Sequence, residues 1–220
     1  MSRVSSEHSP SKVAYHGLIT VSVMLATTMQ SLDTTIANVA LPHIQGSIAA
    51  TQEQMTWVLT SYIVAVAIMT PLTGWLSGRF GRKKVFLASI AGFTIASVLC
   101  GLAQSLPQIV AFRLVQGLSG AALVPLSQAI LLDINPPERH ARAMSVWVMG
   151  VTVGPILGPA LGAWLTDNYS WRWVFYINVP IGVASFLGLS SFLSETHLRR
   201  SAFDFFGFTT LAIGIGALQL

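Results

Sequence analysis

The sequence predicts an all-α membrane protein: a bundle of six spanning helices followed by the start of a seventh. Three observations predict it. Of 220 residues, 53% are hydrophobic and only 9% are charged, where a soluble domain carries about 25% charged residues. The mean hydropathy is +0.66. The apolar residues gather into long runs, and the basic residues fall in the short gaps between them. A net charge of +4 and a pI near 9.6 therefore do not argue for nucleic acid as a partner. Cys100 is the single cysteine and lies inside an apolar run, which excludes an internal disulfide.

Residues 1–16 read as a polar N-terminal tail. The run that follows is too long for a signal-peptide core and reads as an uncleaved span. Spans are expected at 17–41, 55–76, 85–104, 108–132, 143–166 and 173–193, within a six-helix domain over 17–194. A linker, 195–204, leads to a last run over 205–220. Its 16 residues are short of the ~20 that a crossing helix needs, so the chain reads as stopping partway through a helix.

Lys and Arg set the expected orientation. With a cytoplasmic N-terminus, the inner segments hold Arg3, Lys12, Arg79, Arg82, Lys83, Lys84, Arg139, Arg142, Arg199 and Arg200, the outer segments hold Arg172, and Arg113 lies within a span. Trp57, Trp164, Trp171 and Trp173 fall near outer span ends, where indole rings favour the interface. An internal repeat accompanies this topology. Residues 74–86, "GWLSGRFGRKKVF", and 163–175, "AWLTDNYSWRWVF", share Trp, Leu, Val and Phe at four positions and similar residues at three more. One segment is expected inside and the other outside, as in two three-helix units of inverted topology. The plainer alternative is two aromatic-rich interfacial turns.

Four constellations carry chemistry. The segment from Gly74 to Val85 holds four cations between Arg79 and Lys84, with glycines at 74, 78 and 81. It reads as a shaped turn whose cations bond helix ends and acidic partners; the alternative is charge that only sets topology. In span 4, Arg113 lies at membrane depth with Gln116 and Gly117 on its face. Its cost there, about 2.5–3.5 kcal/mol on insertion scales, argues for a bundle-facing role over snorkelling. In span 5, Gly150, Gly154, Gly158 and Gly162 recur every fourth residue, and Pro155 and Pro159 remove two backbone donors. This helix is a candidate to bend or slide; a static small-residue contact is the alternative.

In span 1, Asp33 and the polar strip Thr27, Gln30, Thr34 and Asn38 suit a water-filled cavity better than lipid. Asp33 and Arg113 are expected at similar depth. Burial favours a neutral acid and a nearby guanidinium favours the carboxylate. A carboxyl balanced between them exchanges a proton for a cationic substrate; the alternative is a purely structural ion pair.

Together these motifs resemble the major facilitator superfamily, and more narrowly the fourteen-helix drug:proton antiporters of the EmrB/QacA type. The matching pieces are "LDTTIANVALP", "GWLSGRFGRKKV", "RLVQGLSGAA", "GPILGPALGAWL" and "WRWVFYINVPIG", in that order, with "FDFFGF" before the last run. The resemblance implies the N-terminal half of that fold, with two inverted three-helix repeats. It implies that Asp33 handles proton and cation, and that Arg113 assists proton transfer. Gly74, Arg79, Gly81 and Arg82 would belong to a gating loop, and Gly158, Pro159 and Gly162 to the antiporter motif, beside Gly154. Two departures stand out: Gly78 replaces an Asp of the loop motif, and Ala163 replaces a second Gly.

The function so implied is proton-coupled export of lipophilic, often cationic, drugs from a bacterial cytoplasmic membrane. Its partners would be the bilayer, the substrate, protons and a periplasmic adaptor. No nucleophile–base pair or metal-spaced cluster points to an enzyme, and no cofactor is expected beyond the proton gradient. His8, His16, His43, His140 and His197 are scattered and read as solvated. The alternatives are export of a natural metabolite on the same scaffold, or a fragment that transports nothing alone.

Overall fold

A computed structural model describes residues 15–48, 50–195 and 205–219. Arg3, Lys12, Arg199 and Arg200, with nearly all of the expected tail and linker, lie outside the described residues. The described chain is helical: α1 (His16–Ile48), α2 (Gln52–Phe80), α3 (Arg82–Leu102), α4 (Leu106–Gly120), α5 (Leu123–Ile134), α6 (His140–Asn168), α7 (Trp173–Tyr176), α8 (Asn178–Phe192) and α9 (Phe205–Gln219).

Among the described residues, five stretches are long and apolar enough to cross a membrane: 52–80, 82–102, 106–134, 137–168 and 173–192. They match the second to sixth expected spans. The first expected span differs. At 33 residues α1 is long enough, but its polar residues keep it out of that apolar set. The reason is position. α1 packs against α6, α8 and α5, so its polar groups meet protein rather than lipid. The seventh helix, α9, lies against α2.

Local chemistry explains the element boundaries. α2 starts in a capping box: Gln54 N–H donates to Thr51 Oγ1 at 3.3 Å, and Thr51 N–H donates to Gln54 Oε1 at 3.0 Å. Two expected single spans are broken. Pro125 lacks the N–H that would bond Ala121, and α4 ends there; Pro180 lacks the N–H that would bond Tyr176, and α7 ends there. The expected bend in the fifth span is not a break, because α6 runs unbroken through Pro155 and Pro159. Pro155 orphans the Val151 carbonyl, and the Ser31 hydroxyl of α1 donates to it at 2.7 Å. Thr28 donates likewise to the Gly150 carbonyl at 2.9 Å.

The glycine stripe of α6 faces α1. A Cβ on Gly154 would lie 2.6–2.7 Å from the Ser31 and Leu32 backbone, and one on Gly158 would lie 2.7 Å from Thr35. Gly162 is looser, with Val39 at 3.3 Å. The stripe is therefore the close contact between these two helices.

The basic segment 74–85 is less of a loop than expected. Gly74, Gly78 and Arg79 lie within α2, open space surrounds Gly74, and Gly81 alone joins α2 to α3. Gly81 has φ 95°, a conformation that side-chain-bearing residues rarely adopt. The Glu195 carboxylate packs directly on its Cα.

The two related segments sit at opposite ends of the bundle and exchange contacts. Lys83, opening α3, donates to the Ser190 carbonyl at the end of α8 at 2.8 Å. Arg172, aligned with Lys83 in the repeat, precedes α7 and α8 and donates to the Gly101 and Ala103 carbonyls at the end of α3, at 2.5 and 2.9 Å. The aligned Phe86 and Phe175 are both fully buried, one in each of two apolar clusters. This reciprocity is what a three-helix unit repeated with inverted topology produces.

One cluster, nearer the basic end, contains Val23, Met29, Phe86, Phe93, Leu123 and Leu189. The other contains Leu32, Ile36, Val58, Ile109, Val174 and Phe175. Along α1, α3, the α4–α5 segment and the α7–α8 segment, the chain passes from one cluster to the other, and buried polar residues lie at each changeover.

Candidate functional site

The residues between the two apolar clusters form a buried polar seam. α1 supplies Asp33, α3 Ser97, α4 Arg113 and Gln116, and α8 Asn178; all five are 0–1% exposed. Arg113 Nη1 donates to Asp33 Oδ2 at 2.6 Å and to Gln116 Oε1 at 2.7 Å. Gln116 Nε2 donates to Asp33 Oδ1 at 2.9 Å. Asn178 Nδ2 donates to the same Oδ1 at 2.7 Å and to Ser97 Oγ at 2.8 Å. The carboxylate thus accepts from three side chains on two other helices.

The guanidinium is equally enclosed. Arg113 Nε donates to the Val58 carbonyl at 3.4 Å. Its Cζ lies 4.3 Å from the Tyr62 ring centroid and 5.8 Å from that of Phe175. This geometry excludes snorkelling, because the charged head is 0% exposed and every contact points into the bundle. Unpaired, either charge at this depth would be strongly disfavoured. Paired, the two tie α1 to α4 through their side chains. Gly117 lets α4 lie close to α2, where a Cβ would meet the Tyr62 carbonyl at 2.5 Å.

The polar strip of α1 is arranged otherwise than its helical spacing predicts. Gln30 is buried and reaches Tyr62, Nε2 donating to the phenol oxygen at 3.2 Å. Thr34 donates to the Gln30 carbonyl at 2.7 Å, and Asn38 to the Thr34 carbonyl at 3.0 Å. Thr27 does the same one turn earlier, to Met24 at 3.0 Å. Thr34 and Asn38 therefore satisfy their own helix and do not hold Asp33. A shared helical stripe does not make a shared contact: Asp33 points to the donors of α4 and α8. Arg113 Nη2, Gln30 Oε1 and Asn178 Oδ1 are buried without a hydrogen-bond partner among the described residues.

At the basic end, Arg82 forms an ion pair with Asp133 at the end of α5. Arg79 lies over the Trp75 ring at 5.3 Å and the Phe80 ring at 5.8 Å. His140, expected to be solvated, bridges α5 and α6, its Nε2 lying 3.0 Å from both the Leu132 and Asn135 carbonyls. At the other end His43 lies 3.6 Å from Asp167. Trp57, Trp164 and Trp173 are half-exposed there, whereas Trp171 is buried in the core.

The sequence alone does not single out Asn178 and Ser97 of the seam, or Tyr62 at its edge against Arg113 and Gln30. Asn178 carried a signal, being a side-chain amide inside an apolar run. Ser97 carried none, since small hydroxyls are common in buried helices.

Comparison with known proteins places this arrangement. The family model for the Major Facilitator Superfamily matches residues 23–215. The multidrug export protein EmrB of Escherichia coli K12 is 48% identical over 92% of this chain and 40% of its own length. The fatty acid resistance protein FarB of Neisseria gonorrhoeae is 44% identical over 97% of this chain and 43% of its own. The chain thus spans about two fifths of the length of these relatives. Among solved structures, a D-xylose–proton symporter matches with a TM-score of 0.73 and 16% identity, over 94% of this chain and 53% of that one, a likeness of fold. The chain belongs to the Major Facilitator Superfamily, a family of membrane transporters rather than enzymes.

Proposed function

We propose that this chain is the N-terminal half of a proton-coupled exporter of lipophilic, often cationic, drugs in a bacterial inner membrane. The observation that carries the reading is the seam: an acid at 1% exposure, held by donors from two other helices and paired with a fully buried arginine. Intramembrane acids in bundles of this kind mark ion and substrate paths. The similarity to EmrB supports drugs as the substrate class.

In the mechanism, two six-helix halves rock about a central cavity and expose it to each side in turn. Asp33 takes up a proton from outside, which frees Arg113 and loosens the α1–α4 contact. On the inner side it releases the proton, and the carboxylate becomes available to the cationic substrate. Proton or substrate, not both, occupies the acid, and that exclusion is the exchange. No cofactor is needed: the membrane potential alone supplies about 2.3 kcal/mol per charge per 100 mV. Gly74, Gly78, Arg79, Gly81 and Arg82 act at the inner rim as the gate. Gly154, Gly158 and Gly162 form the α6 face that keeps α1 close, Pro159 completes the antiporter motif beside them, and Gln30, Thr34 and Asn38 border the path. The N-terminus lies in the cytoplasm, and a periplasmic adaptor carries substrate onward.

The test is drug–proton exchange by the full-length transporter in proteoliposomes. Asp33→Asn should abolish exchange of cationic dyes while leaving the protein folded. Unaltered exchange by this variant overturns the reading. A second reading, export of amphipathic acids, is favoured by the similarity to FarB. In that case the same vesicles transport a long-chain fatty acid and not the dye.

A further inference from the structure

Asn178 belongs to the segment "WRWVFYINVPIG", and the mechanism above gives it nothing to do. Its setting is specific. It is the first residue of α8, placed at the seam by the break before Pro180. The side chain is fully buried and spends both N–H groups, one on Asp33 Oδ1 and one on Ser97 Oγ. Ser97 has a single hydroxyl proton and donates it to the Phe175 carbonyl at 2.8 Å. Toward Asn178 it can therefore only accept. That fixes the amide with its NH₂ group facing the carboxylate and its carbonyl turned away.

Among the described residues the carbonyl oxygen has no partner. An amide placed for packing alone would not leave a buried acceptor unmet, since that is costly. The arrangement gives up the acceptor to hold the donor in place. Gln116 is oriented by the same logic: Arg113 Nη1 and the Cys100 thiol lie against its Oε1, at 2.7 and 3.7 Å, so its NH₂ faces Asp33.

The consequence concerns where a proton can land. Each carboxylate oxygen offers about two lone-pair sites. Oδ1 has both filled, by Gln116 and Asn178; Oδ2 has one filled, by Arg113. The titratable or charged groups facing Asp33 are Arg113 from α4, Tyr62 from α2 and Cys100 from α3.

We propose that Asn178 is a positioning residue for proton coupling. Locked by Ser97, its amide blocks Oδ1 and confines proton uptake to Oδ2, the oxygen that holds Arg113. A proton on the open site of Oδ2 neutralises the oxygen that holds Arg113, so uptake weakens that ion pair directly. This rests on the proton-coupled reading above for its consequence, but not for its geometry.

The experiment has two readouts on the full-length transporter in lipid. One is the infrared absorbance of the protonated Asp33 carboxyl, titrated without substrate and identified by its loss in Asp33→Asn. The other is the pH profile of drug–proton exchange. Asn178→Ala removes one donor to a charged group and should move both midpoints to higher pH by about one unit, a tenfold change in proton affinity. Asn178→Asp keeps the shape but faces Asp33 with an acceptor, and should move them further. Ser97→Ala only unlocks the amide and should move them in the same direction by less; it serves where the Asn178 variants fold poorly. A merely structural role lowers yield or rate and leaves both midpoints in place, which overturns the proposal. If the infrared midpoint moves while exchange proves independent of protons, the assignment of Asn178 stands and the transport reading falls.

Discussion

The seam and the basic rim each pair an arginine with an aspartate across two helices, and they do so under opposite conditions. Arg113 and Asp33 are 0% and 1% exposed, whereas Arg82 and Asp133 are 33% and 47% exposed. In the rim, water solvates whatever the pair leaves unmet, so the helices can part at little cost. In the seam nothing replaces a lost partner, so the pair is either closed or the bundle must rearrange. The same two residue types thus make an adjustable contact at one depth and a contact that is costly to open at another.

The most severe break in that comparison is Asp33→Ala. It strands a buried guanidinium and should cost about 3–5 kcal/mol in denaturant unfolding of the chain in mixed micelles. Adding Arg113→Met should recover part of the loss; a double variant whose cost equals the sum of the singles refutes coupling in the seam.

A smaller effect asks whether the seam depends on its frame as well as its charges. Gly154→Ala pushes a methyl against the α1 backbone two residues before Asp33, with the Ser31 hydroxyl also in the way, and should cost about 1–3 kcal/mol. Gly162→Ala meets its nearest neighbour only at 3.3 Å and should cost clearly less. Equal losses in the same unfolding assay would mean that the stripe does not act through this contact.

The smallest effect is at the rim. Arg82→Ala should cost at most about 1 kcal/mol, and that cost should shrink as salt is raised, whereas the Asp33→Ala cost should not. A salt-insensitive loss at Arg82 would erase the distinction between the two regions.

Much of this architecture was legible in advance. Apolar run length and the placement of Lys and Arg mark the second to sixth crossing helices. The matched segments around Trp75 and Trp164 mark the repeat, which the exchanged contacts of Lys83 and Arg172 express in three dimensions. Asp33 and Arg113 were legible as a pair because charge at membrane depth must be satisfied and both lie at similar distances from a span end. The breaks at Pro125 and Pro180 were not, since Pro155 and Pro159 carry the same local signal and leave α6 intact. At Pro155 the Ser31 hydroxyl takes up the orphaned Val151 carbonyl, a contact that only the fold supplies.

The sequence by itself determined that this chain is a helical membrane bundle, where its crossing segments lie, and that one acid and one arginine inside it must be answered. These follow from transfer free energies, which depend on residue type and span length alone. Tertiary structure decided who answers them. Helical spacing grouped Thr34 and Asn38 with Asp33, but packing turned the carboxylate toward Gln116 and Asn178, one of them 145 positions away along the chain. Hydrogen bonds act over about 3 Å, so only the fold, by bringing α1, α3, α4 and α8 to one depth, selects which polar groups fall within reach.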